Sequence, residues 1–313
     1  MKKLLAFLMA AVMLIVFVAC NKTDSTEPPI DTTETTAEPT PTTGTTEPAQ
    51  TTAATETTPE VTTPQETTTE TPVEPPKTAA LPEAYVDIDF ADGKVTDAKG
   101  HVTVENKGAT IGTATVTVGD KTTTAPALQV TASGQYVLCT FNEITTKEDL
   151  EDWAQNSFSV EAFYVMGSKG SIQGVVCGTE KGGWGLAESK DGKPYFITAY
   201  DNNKYNDGAY AKTASSTTKL VHVVAVYDRS NGRNLIYING ELNASTPIQN
   251  LLYPGDGDYA FNRFCLGADI KATAGGLDYP SPNMTMVDAK IYSEALTAEQ
   301  AMIAYENAIN SLN

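Results

Sequence analysis

The chain is poor in the residues that most enzyme active sites and disulfide frameworks require. It has only two histidines, His101 and His222, and four cysteines in 313 residues. No two cysteines have the Cys-x-x-Cys spacing of zinc and thiol-redox motifs. The motifs Gly-x-Ser-x-Gly and His-Glu-x-x-His and the phosphate-binding glycine loop are also missing. The sequence therefore lacks the common hydrolase, metalloprotease and nucleotide-binding signatures.

Positive charge is scarce as well. The chain has 21 lysines and arginines against 39 aspartates and glutamates, a net charge of −18. From residue 84 onwards there are 17 basic and 27 acidic residues, or −10, and the earlier residues contribute the other −8. Nucleic-acid binding needs a basic patch. We therefore expect no nucleic-acid partner.

Residues 21–80 contain no aromatic residue, but they hold 23 Thr and 10 Pro. Such a segment buries too little apolar surface to offset the entropy lost on ordering. The composition predicts a disordered Thr/Pro-rich stalk over residues 20–83. Its threonines are candidate sites for O-glycosylation.

The first 20 residues, MKKLLAFLMAAVMLIVFVAC, place two lysines before an apolar run that ends in Ala19 and Cys20. This order is typical of a secretory signal. Its last four residues, FVAC, resemble the lipobox of bacterial lipoproteins. The resemblance implies a signal peptide over residues 1–19 and a diacylglycerol on Cys20, which would anchor the chain to the membrane. A single transmembrane helix is the alternative, although residues 4–19 are slightly short for one.

Residues 84–313 show almost no helical periodicity before their last part. About a dozen short runs rich in β-branched and aromatic residues alternate with Gly, Asn, Asp and Pro, for example YVDIDF, FSVEAFYVM and LVHVVAVY. Many short strands with frequent turns are typical of β-sandwiches and barrels. The pattern predicts an all-β domain over residues 84–313, a two-sheet antiparallel jelly-roll sandwich with a short C-terminal helix.

Local signals predict two chain reversals. Asp191-Gly192 is expected at the tip of a hairpin between WGLAES and PYFITAY. Asn239-Gly240 is expected to reverse the chain after NLIYI, because both residues tolerate positive φ.

Two helices are also expected. One short helix is predicted over residues 147–154. Thr297 and Gln300 form a capping-box pattern that begins the C-terminal helix. The residues expected on its packed face are Met302, Tyr305, Ile309 and Leu312.

The segment LVHVVAVYDRSNGRNLIYINGEL resembles laminin-G-like domains of the concanavalin A-like lectin/glucanase superfamily. In that family a W-x-H-V-A strand precedes a Y-x-N/D-G hairpin. Leu220 takes the place of the Trp, while His222, Tyr237, Asn239 and Gly240 match. RFCLGAD and MTMVDAKIYSEALTAEQ resemble the closing segments of the family. The resemblance implies a concanavalin A-like fold and a structural role for His222, but it names no ligand, since this fold hosts many functions.

Glycosidases of this superfamily need paired carboxylates, about 5 to 5.5 Å apart for retaining chemistry. Related laminarinase-type enzymes carry them as E-x-D-x-x-E or E-x-D-x-E. Neither spacing occurs here, although Asp87 and Asp89 share a strand face. We therefore expect a non-catalytic protein, with a glycoside-active enzyme as the alternative.

Sugar-binding sites combine aromatic rings with amide and carboxylate groups. The densest such stretch is AYDNNKYNDGAY, residues 199–210, and Trp184 and LLYPGDGDYAFN flank it in sequence. The residues expected to bind the ligand are Trp184, Tyr200, Asp201, Asn202, Tyr205, Asn206, Tyr253 and Tyr259. Ordinary turn and core roles are the alternative for each of them.

The resemblance also implies a calcium site near the first and last strands, with Asp89, Asp92 and Asp288 as ligands. The stretch DIDFADG is not an EF-hand loop, because its spacing differs and no glutamate lies at position twelve from Asp87. A bound cation would therefore belong to the sandwich.

These patterns together predict a lipid-anchored extracytoplasmic protein of the bacterial surface. Its domain is expected to bind a glycan or another surface ligand, with protein–protein adhesion as a further alternative. The cysteines Cys139, Cys177 and Cys265 lie in apolar strand-like runs and are expected to be buried thiols. Their odd number argues against a complete disulfide framework.

Overall fold

The computed structural model describes residues 79–179, 181–254, 262–270 and 276–312. The predictions for residues 1–78 and for Tyr259 lie outside these residues. In the described part, two large antiparallel sheets and two helices make up the architecture. The prediction of an all-β, two-sheet jelly-roll sandwich is confirmed.

The larger sheet has nine strands in the described residues, in the order β15-β14-β13-β7-β19-β1-β2, and β5 pairs with both β19 and β4. Its strands are β1 (Val86–Asp89), β2 (Thr96–Asp97), β4 (Thr110–Val118), β5 (Lys121–Val130), β7 (Phe158–Met166), β13 (Val221–Asp228), β14 (Arg233–Ile238), β15 (Glu241–Pro247) and β19 (Met284–Tyr292).

The smaller sheet has the order β11-β10-β9-β8-β16-β6-β3, and β12 also pairs with β10. Its strands are β3 (Val102–Lys107), β6 (Tyr136–Phe141), β8 (Gln173–Gly178), β9 (Trp184–Glu188), β10 (Pro194–Asp201), β11 (Lys204–Tyr205), β12 (Ala209–Tyr210) and β16 (Arg263–Leu266). A separate two-stranded ribbon follows it, formed by β17 (Asp269–Ile270) and β18 (Leu277–Asp278).

The main core lies between the two sheets. Phe158 is its centre, with ring contacts to Trp153, Trp184, Phe196 and Tyr227 at centroid distances of 4.8 to 6.2 Å. Each strand contributes alternate residues to this core, since successive side chains point to opposite faces. Burial of these large rings is the main source of stability for the sandwich.

Both predicted reversals are present. Asn239 and Gly240 have φ values of 51° and 81° and connect β14 to β15, with Ile238 opposite Glu241. These angles fit a two-residue hairpin turn whose central positions both need positive φ. Gly192, with φ of 75°, lies in the turn between β9 and β10.

Both predicted helices are present as well. Helix α1 spans Lys147–Ala154 and α2 spans Ala298–Asn310. Thr297 caps α2 by accepting from the backbone N–H of Gln300, and the Gln300 side chain accepts from the backbone of Thr297. In the described part of the chain, neither helix is long and apolar enough to cross a membrane.

The packed face of α2 includes small residues that the prediction did not name. The fully buried residues of the helix are Ala301, Ala304 and Ala308. The larger side chains that were expected to pack, Met302, Tyr305, Ile309 and Leu312, are only half-buried. The small alanines let the helix lie close to the larger sheet. Of the predicted residues, Tyr305 contacts the ring of His222, and Leu312 packs against the cluster that contains Phe163.

Candidate functional site

Trp184 is not available to a ligand. The side chain is 3% exposed and points into the main core, where it contacts Phe158 and Phe264 at centroid distances of 5.5 and 5.9 Å. Its prediction as a ligand-binding residue is wrong in this structure, because strand alternation in β9 turns it inward with Leu186.

Asn206 is also corrected from a binding to a structural role. It is 2% exposed. Its amide nitrogen donates to the Thr198 hydroxyl at 3.2 Å, and its amide oxygen accepts from the Gln249 backbone N–H at 2.7 Å. A buried amide with these partners holds two loops together and has no surface to offer a ligand.

The other predicted ligand-binding residues lie nearer the surface. Asn202 is exposed, and Tyr200, Asp201, Tyr205 and Tyr253 are half-buried. Asp201 forms an ion pair with Lys204 at 2.6 Å, and the Tyr205 hydroxyl donates to the Thr179 carbonyl. These residues form the edge of the smaller sheet, and their predicted binding role stays a prediction.

A pair of stacked tyrosines stands beside this edge. Tyr195 and Tyr210 are directly opposite each other on β10 and β12, with ring centroids 4.8 Å apart and planes tilted by 17°. Tyr195 is 6% exposed, whereas Tyr210 is 50% exposed. The inner ring therefore supports the outer one, which turns toward solvent.

Gly208 makes room for this stack. A Cβ atom at Gly208 would lie 2.7 Å from Cε2 of Tyr210 and 3.0 Å from Cγ2 of Ile197. Any larger residue would push the outer ring away from the sheet. The exposed ring thus depends on a glycine two positions earlier in the loop.

A third tyrosine, Tyr279, directly follows the β17–β18 ribbon and lies beside β8. Tyr279 is 42% exposed, and its carbonyl accepts from the backbone N–H of Gly174 at 2.8 Å. Burial raises the pKa of Tyr195, and the nearby Cys177, Tyr210 and Tyr279 raise it further. Strand register gives the same neighbourhood: Gly174 is opposite Ala187, and Ala187 is opposite Tyr195, so the three tyrosines lie along one row of paired residues on the smaller sheet. We call Tyr195, Tyr210 and Tyr279 the tyrosine platform.

None of these three tyrosines is among the ligand-binding residues expected from the sequence. Tyr195 lies next to Phe196 in the run PYFITAY, and sequence alone does not tell which of two adjacent aromatics faces the core. Tyr210 is the last residue of the stretch AYDNNKYNDGAY, and the density of aromatic and amide residues in that stretch is the signal that points to it.

His222 is enclosed, as expected for a structural residue. It is fully buried, its Nε2 lies 2.8 Å from Oε1 of Glu161, and its ring contacts those of Phe163 and Tyr305. The Tyr292 hydroxyl donates to the other carboxylate oxygen of Glu161 at 2.5 Å. Helix α2 covers this group, so it has no open face for a substrate.

Burial alone would raise the pKa of Glu161, but the hydrogen bond and charge of His222, helped by Lys290 and Tyr292, outweigh it and hold the pKa low. The carboxylate is therefore kept ionised inside the domain. Its geometry fits a stabilising role between β7, β13 and β19.

The predicted calcium ligands are not assembled as a set. Asp89 and Asp288 line one cleft of about 580 Å³ together with Asp87 and Lys290, but Asp92 does not line it. Asp288 forms an ion pair with Lys290. The described residues contain no group of three acidic, histidine or cysteine side chains that could hold a metal ion. The three-aspartate set is thus not supported, and calcium binding itself stays a prediction.

The sequence comparison identifies the family. A laminin G family model, described as the concanavalin A-like lectin/glucanases superfamily, matches residues 138–302. The chain belongs to this superfamily. No curated protein sequence matches it.

Solved structures of the same fold class include receptor-binding domains of toxins. The chain is similar to the receptor binding domain of botulinum neurotoxin C/D mosaic serotype, with 19% identity and a TM-score of 0.53 over 72% of this chain and 51% of that one. It is also similar to the serotype D ligand binding domain in complex with N-acetylneuraminic acid, with 18% identity and a TM-score of 0.52 over the same shares.

A third similar structure is the binding domain of botulinum neurotoxin DC in complex with rat synaptotagmin II, with 13% identity and a TM-score of 0.52 over 72% of this chain and 51% of that one. The chain spans about half the length of these solved chains. At such low identity, the likeness establishes the sandwich fold of this superfamily member and leaves its ligand open.

Proposed function

We propose that this superfamily member is a non-catalytic binding module that receives a glycan on the tyrosine platform. The observation that carries the proposal is the half-exposed Tyr210 ring, held flat against Tyr195 at 4.8 Å. A preformed aromatic face costs little ordering entropy on binding, and it suits the C–H face of a sugar ring.

Polar groups at the neighbouring sheet edge support the same reading. Asn202 and Asp207 are exposed in the loop that precedes Tyr210, and Asp201 is half-buried beside them. Amides and carboxylates supply the donors and acceptors that sugar hydroxyls need. The similar toxin domains provide two precedents for this fold in binding, one with a sialic acid and one with a protein.

The test is a glycan array probed with the wild type, Tyr210→Ala and Tyr210→Phe. If the ring carries binding, Tyr210→Ala weakens it by about tenfold, ~1.4 kcal/mol, while Tyr210→Phe retains it. Leu251→Ala serves as the control, because it removes a side chain of similar exposure, 46%, from a cleft lined by Gln155 and Arg229. Equal binding by Tyr210→Ala and the wild type would rule out the platform.

The array is to be run with and without Ca²⁺, because a bound calcium ion is also part of the proposal. Calcium-dependent binding that is weakened by Asp288→Asn would support a cation near the cleft of Asp87, Asp89 and Asp288. If no glycan on the array is bound while binding to a surface protein is saturable, the adhesion alternative would be favoured instead.

The glycosidase alternative was based on Asp87 and Asp89, which line the cleft with Asp288. A second pair of carboxylates lies near the platform. Asp269 and Asp278 are directly opposite each other in the β17–β18 ribbon. Asp269 is 3% exposed and accepts from the backbone N–H groups of Thr179 and Ile270, at 3.1 and 2.8 Å, and from the Thr179 hydroxyl. These contacts make it a structural carboxylate. Polysaccharide turnover that disappears in Asp278→Asn would favour the enzyme.

We further propose how the module is presented. A signal peptide over residues 1–19 is removed, Cys20 carries the lipid, and the stalk of residues 20–83 holds the domain of residues 84–313 away from the bacterial membrane. The sequence pattern around FVAC supports this arrangement. Metabolic labelling with a fatty-acid analogue should mark the wild type and fail to mark Cys20→Ser.

A further inference from the structure

Two of the buried cysteines lie directly opposite each other on neighbouring strands. Strands β8 and β16 run antiparallel, with Cys177 opposite Cys265 and Val176 opposite Leu266. Residues directly opposite each other in such a pair project from the same face of the sheet. Val176 and Leu266, the adjacent pair, belong to the main core, so both thiols lie on the outer face of the smaller sheet.

The third cysteine of the domain is excluded by the same register. Cys139 on β6 lies opposite Phe264, the residue before Cys265. Phe264 points into the main core, where it contacts Trp184. Cys139 thus faces inward, away from Cys265, and register selects a single pair from the three thiols.

The backbone spacing suits a covalent bond. The backbone N–H of Gly267 donates to the Val175 carbonyl at 3.1 Å, which makes Cys177 and Cys265, two positions along, a hydrogen-bonded pair. Such pairs have Cα atoms about 5.5 Å apart, inside the usual disulfide range of about 4.4 to 6.8 Å, and their Cβ atoms must draw together to about 4.5 Å. Cys177 Sγ now donates to the Leu186 carbonyl at 3.1 Å, on the side of β9. A change of rotamer about its Cα–Cβ bond is needed to turn the sulfur toward β16.

We propose that Cys177 and Cys265 are a disulfide-forming pair, which is closed by exchange with a small-molecule disulfide while the chain folds. One cysteine, as its thiolate, attacks the small disulfide, forms a mixed disulfide and releases one small thiol. The second cysteine then attacks the protein sulfur of that mixed disulfide and releases the second small thiol. The protein loses two hydrogens and two electrons, and the small disulfide gains both.

The timing follows from burial. Cys177 and Cys265 are 2% and 0% exposed, and Ile270 and Leu277 of the β17–β18 ribbon pack over Cys265. Burial also raises the pKa of both thiols, and the thiolate is the reactive form. The folded, reduced protein should therefore resist oxidation, and the bond should form before the ribbon closes.

The test is refolding of the full chain from denaturant with reduced and oxidised glutathione. The remaining thiols are then alkylated, and the peptides are mapped by mass spectrometry. The expected result is a linked pair of peptides containing Cys177 and Cys265, with Cys139 alkylated. Relative to a sample refolded with reductant, the melting temperature should rise by about 10 °C.

Matched variants separate this pairing from general thiol chemistry. Cys139→Ser should keep the linkage and the higher melting temperature, whereas Cys177→Ser and Cys265→Ser should each lose both. Alkylated or glutathionylated Cys177 and Cys265 in the refolded wild type would overturn the proposal. A linkage that includes Cys139 or Cys20 would overturn it equally.

Discussion

Glu188 is a buried carboxyl group whose protonation should make the free energy of unfolding depend on pH. The residue is 1% exposed on β9. One carboxylate oxygen, Oε1, accepts from the Tyr164 hydroxyl at 3.1 Å and from the Ser215 hydroxyl, while Oε2 has no hydrogen-bond partner among the described residues. Burial raises the pKa of Glu188 from 4.5 to about 7, although the two hydroxyls and the charge of Lys169 act in the opposite direction.

The sign of the effect follows from proton linkage. Between pH 4.5 and pH 7 the folded chain keeps the proton on Glu188, while the unfolded chain has lost it. The free energy of unfolding should therefore fall as the pH rises through this window and level off above it. Each pKa unit corresponds to about 1.36 kcal/mol, so the full contribution is ~3 kcal/mol.

The substitution that isolates this effect is Glu188→Gln. Urea unfolding of the wild type and the variant is compared at pH 5, 6, 7 and 8. The stability of the variant relative to the wild type should increase by ~3 kcal/mol between pH 5 and pH 8, because the glutamine has no proton to lose. Contributions of other groups cancel in this difference.

Tyr164→Phe serves as a second perturbation. Loss of its hydrogen bond should raise the pKa of Glu188 further and move the falling part of the wild-type profile to higher pH. Parallel pH profiles for the wild type and Glu188→Gln would refute the reasoning, since they would show that Glu188 has the same pKa in both states.

Two further predictions test the fold around the site. Glu161→Gln should lower the free energy of unfolding by about 3 kcal/mol at pH 7, because it breaks a buried pair with His222, and calorimetry can check this. Because the pKa of Glu161 is low, its stabilising effect should fade as the pH falls below 4.5. The acid unfolding curve of the variant should lack this loss of stability. Gly240→Ala should cost at least about 1 kcal/mol, since φ is 81° and the added Cβ would lie 3.0 Å from the Cα of Met302; an unchanged melting temperature would contradict this.

Features that depend on a few neighbouring residues could be predicted from the sequence. The Asn239-Gly240 reversal needs only two residues that accept positive φ, and the structure has it. The cap formed by Thr297 and Gln300 involves side chains three residues apart. The sandwich class follows from many short apolar runs separated by turn residues, a statistical signal spread over the whole domain.

Features that depend on strand register, and on which face of a strand a residue occupies, could not be predicted from the sequence. Trp184 and Tyr195 both lie in strands of the smaller sheet, yet one is enclosed in the core and the other supports an outward ring. A shift of one residue exchanges the two faces of a strand, so sequence density alone selected Trp184 and missed Tyr195.

The remaining contacts join residues that are far apart in the sequence, so local patterns could not predict them. Cys177 and Cys265 become neighbours only because β16 returns to β8, and Glu161 meets His222 and Tyr292 only where β7, β13 and β19 lie side by side. Composition and local pattern were sufficient to specify strands, turns, caps and the class of fold. Which side chains share a face or a cavity was set by how the strands pair over long range, because burial and charge act on neighbours in space and not on neighbours in sequence.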